Sequence, residues 1–183
     1  MYRNIAFILT MILYAGFPLQ MISGYESVLS EGELHRFQPR PIDPYNPFKG
    51  RYVFLQYENP KLEYENGRDV FEYGTSAYIS LEKDSAGIAQ PKEIFPVPPE
   101  EGNYLRVEIN YITDNEVGFH YPFDEYYMNE EMAPKAEAAV RDFSEWGKEE
   151  VFVDVRIKEG MAVIEQLYIQ DKPIEEFLRE AED

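Results

Sequence analysis

Cysteine is absent from this 183-residue chain. That excludes disulfides, thiolate nucleophiles and thiolate metal sites. It does not identify a compartment, because the cytosol and an oxidising space both tolerate a chain without thiols. Histidine is nearly absent too: His35 and His120 are the only two. Neither sits in a metal-binding spacing such as HExxH. His120 alternates with Phe119 and Tyr121, which reads as a strand or strand-end position rather than a ligand. The GxGxxG, Walker A and GxSxG signatures are missing. Basic residues are scarce, 17 Lys and Arg against 35 Asp and Glu, for a formal net charge of -18. Docking on nucleic-acid phosphates or anionic lipid head groups needs clustered cations, so neither is expected as a partner. There is no internal repeat and no low-complexity tract. No cofactor is expected and no catalytic set is recognisable, so a non-enzymatic role is the expectation.

What is present begins with an apolar opening, MYRNIAFILTMILYAGFPLQMISGYES. Arg3 is the only charge before Glu26. From Ile5 to Ile22 the chain is apolar except for Thr10, Gly16, Pro18 and Gln20, a run of 18 residues. That is near the lower limit for spanning a bilayer core of about 30 Å. Arg3 on one side and Glu26, Glu31 and Glu33 on the other orient such a span with Arg3 in the cytoplasm. Three readings stay open: an uncleaved anchor, a cleaved signal peptide, or a buried core helix. The best cleavage site, Ile22-Ser23-Gly24, has a poorly fitting Ile at its first position. Either of the first two readings places the chain after Gly24 outside the cytoplasm, membrane-anchored on the periplasmic or cell-surface side or, after cleavage, secreted.

The remaining roughly 160 residues suit one domain, and a chain of that size buries about 70% of its unfolded surface. Pro39, Pro41, Pro44 and Pro47 make residues 38–49 a stiff, extended connector. Gly50 then opens a strand. Tyr52, Phe54 and Gln56 fall on one face and Val53, Leu55 and Tyr57 on the other, apolar on both sides. Ala77–Glu82, Leu105–Tyr111 and Val151–Ile157 alternate with period two. Glu159-Gly160 turns the last of these into a hairpin returning through Met161–Ile169, and Gln170-Asp171-Lys172 reads as another turn. Met132, Ala136, Ala139, Val140 and Phe143 recur at helical spacing, with Pro134 in the first turn. A second short helix begins at Pro173, with Ile174, Phe177 and Leu178 on one face. The expected fold is mainly β (α+β): a single curled antiparallel sheet or partial barrel with one or two helices, after an N-terminal hydrophobic helix. Its expected divisions are 1–24, anchor or signal segment; 25–49, Pro-rich lead-in; and 50–183, the β-rich domain.

The stretch PIDPYNPFKGRYVFLQYE resembles the GDYXXLXY family, named for Gly-Asp-Tyr-x-x-Leu-x-Tyr following a Pro-x-Asp-Pro segment. Pro41, Asp43, Pro44, Gly50, Tyr52, Leu55 and Tyr57 match; Arg51 stands where the family name has Asp, which reverses the charge there. YPFDEYYMNEEMAPKAEAA and VRIKEGMAVIEQLYIQDKPI are similar to later blocks of the family, in the same order. The resemblance implies a bacterial, membrane-anchored extracytoplasmic protein that accompanies a multi-pass membrane protein. It implies no activity, cofactor or catalytic residue.

Asp43, Pro44, Gly50, Tyr52, Leu55 and Tyr57 are therefore singled out as structural motif residues, with none assigned to catalysis, cofactor or metal. Tyr52 and Tyr57, an odd number of positions apart, point to opposite faces and do not share a pocket. The acids Asp124, Glu125, Glu130 and Glu131 flank Tyr126 and Tyr127; solvation or a helix start explains them, with acid–base work or oxygen ligation of Ca2+ as the alternative. Glu58, Glu63, Glu65 and Asp69 read as a charged loop. The 15 tyrosines and 12 phenylalanines fill a β core or line an interface. The functional expectation is a membrane-anchored accessory domain binding a membrane-protein partner. The alternatives are an envelope module for sugar, peptide or cation, and a hydrolase using a carboxylate pair.

Overall fold

The structure is a computed structural model, and it describes residues 2–40, 52–58, 60–144 and 150–181. Helices are α1 (Tyr2–Glu31), α2 (Gly67–Val70), α3 (Ala133–Ser144) and α4 (Ile174–Glu180). Strands are β1 (Glu33–Phe37), β2 (Tyr52–Phe54), β3 (Lys61–Glu63), β4 (Ser76–Lys83), β5 (Ala89–Phe95), β6 (Tyr104–Ile112), β7 (Glu116–His120), β8 (Glu125–Tyr127), β9 (Val151–Lys158), β10 (Met161–Ile169) and β11 (Lys172–Pro173). They form three antiparallel sheets: β1-β9-β10-β11, β2-β8 and β3-β7-β6-β4-β5. In the five-stranded sheet the edge strands β3 and β5 come into contact, which nearly closes it into a partial barrel.

The expected single sheet with one or two helices is thus corrected to three sheets and four helices among the described residues. The curled, barrel-like sheet is present, but β9 and β10 do not join it. The reason lies in their pairing. β9 is filled on one side by β1, in register from Glu33 opposite Ile157 to Phe37 opposite Val153, and on the other by β10. Both ladder edges of β9 are then occupied.

The turns are built as the sequence predicts. Glu159 and Gly160 have φ of 49° and 84°, the paired positive values of a two-residue hairpin turn that matches strand twist. Gln170 and Asp171, at 52° and 63°, repeat the device between β10 and β11. A bulge at Glu165 inserts one residue into β10. Ile164 and Leu167 therefore both lie opposite core residues, Val155 and Val153.

The core lies between the two larger sheets. Ile79, Leu105, Val107, Ile109 and Phe119 come from one, and Val151, Val153, Val155, Ile157 and Leu167 from the other. Ala136 and Val140 of α3 and Ile174 and Leu178 of α4 close its side. Pro134 sits in the first turn of α3, where a missing N–H costs nothing, and Asn129 receives the backbone N–H of Glu131, Met132 and Ala133.

Helix α1 corrects a second expectation. It does not end at Gly24 but continues to Glu31 and docks on β9 and β10. Val28 is fully buried, Lys158 Nζ donates to Ser27 Oγ at 2.7 Å and to the Glu31 carboxylate, and Arg156 Nη1 donates to the Gly32 carbonyl at 3.1 Å. Pro18 interrupts the hydrogen-bond ladder and Gln20 the apolar run. Among the described residues, no helix is long and apolar enough to cross a membrane. The membrane anchor is corrected accordingly. The membrane-anchored accessory role, the multi-pass membrane partner and the placement outside the cytoplasm lose the feature on which they rested.

Candidate functional site

Asp43, Pro44, Gly50 and Arg51 lie outside the described residues. The rest of the motif is placed by one pairing. β2 runs antiparallel to β8, with Tyr52 opposite Tyr127, Val53 opposite Tyr126 and Phe54 opposite Glu125. The Leu55 N–H extends the contact to the Asp124 carbonyl at 2.7 Å. The motif block and the YPFDEYY block thus form one two-stranded ribbon.

The ribbon has two unlike faces. Val53 and Leu55 point inward and are buried, 0% and 1% exposed. Tyr57 follows them into an aromatic cluster, 5.4 Å from both Tyr121 and Phe123 and 6.4 Å from Phe37 between ring centroids. Its hydroxyl oxygen is buried with no hydrogen-bond partner. Burial raises the Tyr57 phenol well above its ordinary pKa, with Tyr121 and Asp124 adding to the shift, and burial raises Tyr121 as well. This is a packing cluster of edge-to-face rings rather than a proton-transfer site.

The outward face carries Tyr52, Phe54 and Tyr127. Phe54 is 37% and Tyr127 69% exposed. The Tyr52 and Tyr127 rings lean together with centroids 5.6 Å apart. The Tyr127 hydroxyl donates to Glu125 Oε2 at 2.6 Å. That hydrogen bond, then the charge of Glu125 and, more weakly, that of Asp124 hold the Tyr127 phenol above its ordinary pKa. The strand was expected to pack on both sides; only its odd-numbered residues do, and its even-numbered ones make an aromatic step edged with carboxylates.

A polar tie holds the ribbon to the third family block. The Tyr126 hydroxyl donates to Glu175 Oε1 at 2.8 Å. Gln166 Nε2, from β10, donates to Glu175 Oε2 at 2.9 Å and to the Tyr126 oxygen at 3.3 Å. Burial raises the Tyr126 phenol, and the Glu175 carboxylate accepting its proton raises it further. Sequence reasoning missed this network. Its only trace is Glu175 at the start of a helix, where an acid is ordinary.

The remaining candidates do not converge. Glu130 and Glu131 are exposed ahead of α3. His35 is buried in β1, while His120 lies at the end of β7 with Asn110 against its ring at 2.9 Å. Glu63 and Glu116 face each other across β3 and β7 and, with Tyr64, Glu65, Thr113 and Asn115, line an open depression of about 650 Å³. Among the described residues no group of three or more His, Asp or Glu is placed to hold a metal ion.

A family profile described as GDYXXLXY protein matches residues 14–167. The chain belongs to the GDYXXLXY family. The match opens inside α1 and closes in β10, and so takes in the ribbon, the five-stranded sheet, α3 and the four-stranded sheet except for β11 and the end of β10. No match was found among curated proteins or among solved structures.

Proposed function

We propose that this GDYXXLXY protein is a non-enzymatic binding module that recognises cationic side chains of a protein partner on the outward face of the β2–β8 ribbon. The observation that supports it is the exposed Tyr127 ring, leaning on Tyr52 and bonded to Glu125. An aromatic face attracts a Lys or Arg cation by about 1 kcal/mol, and adjacent carboxylates take its N–H groups. The net charge of -18 steers basic partners toward the molecule. Isothermal titration with Lys- and Arg-rich peptides tests it. Binding is expected to weaken with salt, and Tyr127→Ala to weaken it about fivefold, the equivalent of one such contact. Tyr127→Phe keeps the ring and retains that part of the affinity. Equal binding by wild type and Tyr127→Ala overturns the proposal.

A second surface favours an additional contact. Phe7, Met11, Tyr14, Phe17, Leu19 and Ile22 of α1 are each more than half exposed. An apolar helix held rigidly at one end suits an apolar groove of a protein partner. A chain lacking residues 2–22 keeps Val28 and its dock, so it is expected to fold and to lose that contact selectively, as read by co-purification with the partner.

A further inference from the structure

Two sheets meet where the β9–β10 turn touches the start of β6. Arg106 N donates to the Gly160 carbonyl at 3.0 Å and Gly160 N to the Tyr104 carbonyl at 3.1 Å. Asn103, immediately before β6, extends this seam: its Nδ2 lies 3.3 Å from the Ile157 carbonyl and 3.3 Å from Glu33 Oε2. The same nitrogen is 3.4 Å from His35 Nε2. His35 is 5% exposed and sits in β1 opposite Val155. Its Nδ1 is buried without a partner, and its Nε2 is 3.7 Å from Glu33 Oε1.

These contacts favour one tautomer. Two acceptors, Ile157 O and Glu33 Oε2, fix the Asn103 side chain with its NH2 toward them. A proton on His35 Nε2 would then oppose those N–H groups. That arrangement favours Nε2 as the acceptor and the ring proton on Nδ1, at the cost of a buried Nδ1–H without an acceptor. A second proton has only Nε2 to occupy, and there it repels the Asn103 amide and attracts the Glu33 carboxylate. The charged groups facing the ring are Glu33, on its own strand, and Lys83 at the end of β4. Burial disfavours the imidazolium most, Glu33 favours it and Lys83 opposes it.

We propose that His35 is a proton-operated latch on this seam: protonation moves Nε2 from Asn103 to Glu33 and releases the strand end that closes β6 against the hairpin turn. The latch operates in mildly acidic solution, where an imidazole takes up its second proton. It stands apart from the ribbon and from the binding reading above.

NMR of the full-length, 15N-labelled chain tests it. The His35 ring resonances are followed separately from those of His120. At about pH 8 the His35 proton is expected on Nδ1. Between about pH 8 and pH 5, amide protection at Arg106 and Gly160, corrected for intrinsic exchange, is expected to fall about tenfold for each unit by which His35 titrates below the ordinary imidazole value. Asn103→Ala raises the His35 midpoint and abolishes the pH dependence of that protection; Glu33→Gln lowers the midpoint. A proton on Nε2, seam protection that ignores the His35 titration, or an unchanged midpoint in Asn103→Ala each overturns the latch. Should Asn103→Ala fail to fold, the wild-type tautomer and Glu33→Gln decide it.

Discussion

Arg36 and Asp154 face each other across the β1–β9 ladder, and the guanidinium donates to the carboxylate twice, Nε to Oδ1 at 2.7 Å and Nη2 to Oδ2 at 3.0 Å. Asp154 is 6% exposed. The guanidinium carbon also lies 5.6 Å from the Phe152 ring centroid and 5.1 Å from that of Tyr168. The Asp154 bond, before any other cause, raises the Arg36 pKa. Arg36→Ala strands a buried carboxylate. Because the arginine itself is partly solvated, the expected cost is about 2–3 kcal/mol rather than the full penalty of a broken interior pair. Arg36→Lys recovers less than half, since an ammonium neither forks nor stacks. Chemical denaturation of the two variants gives both numbers.

Tyr57→Phe runs against the intuition that a motif residue resists change. Its hydroxyl is buried without a partner, so removing the oxygen removes an unmet hydrogen bond while keeping the rings in contact. Stability is expected to rise by about 1 kcal/mol. A fall of the same size would show that the hydroxyl has a partner.

Tyr126→Phe has the opposite sign. It leaves Glu175 Oε1 without its donor in a half-buried site, with Gln166 alone on the other oxygen. A loss of about 1–2 kcal/mol is expected. The double variant Tyr126→Phe, Glu175→Gln loses less than the sum of the single changes, because the two groups form one network. Thermal or urea unfolding of the four chains closes the cycle.

Stability is expected to decline with acid earlier than carboxylates alone dictate. Burial holds His35 below its ordinary 6.5. The unfolded chain therefore takes up this proton at a higher pH than the folded one. The His35 contribution is complete above about pH 6.5 and is lost as pH falls toward the folded-state value, at up to about 1.4 kcal/mol per pH unit. Lysine-paired Glu31 and backbone-bonded Asp84, whose pKa values are lowered, add losses only at more acid pH. Denaturation midpoints followed from about pH 8 to pH 5 check this, and His35→Gln flattens the upper part of the curve.

Much of this architecture is legible in particular residues, and the rest is hidden for physical reasons. The β9–β10 hairpin is plain because four β-branched residues alternate up to Glu159-Gly160. α3 and α4 are plain from apolar spacing and from Pro134 and Pro173. β1 is hidden because Leu34 points out and His35 in, the reverse of what hydropathy dictates. β3 and β8, three residues each, are too short to show a period. The continuation of α1 past Gly24 depends on Lys158 and Arg156, more than a hundred residues away. The outward face of the motif ribbon is hidden because Tyr and Phe look like core residues, and only the pairing with β8 shows that Phe54 and Tyr127 face solvent.

The most direct test of the binding claim maps where a basic peptide touches the folded chain. Amide shift perturbations by a Lys- and Arg-rich peptide are expected at Tyr52, Phe54, Glu125 and Tyr127, shrinking as salt is added. Perturbations centred instead on the acidic depression of Glu63, Glu65 and Glu116, or spread evenly over the surface, contradict the ribbon as the recognition site.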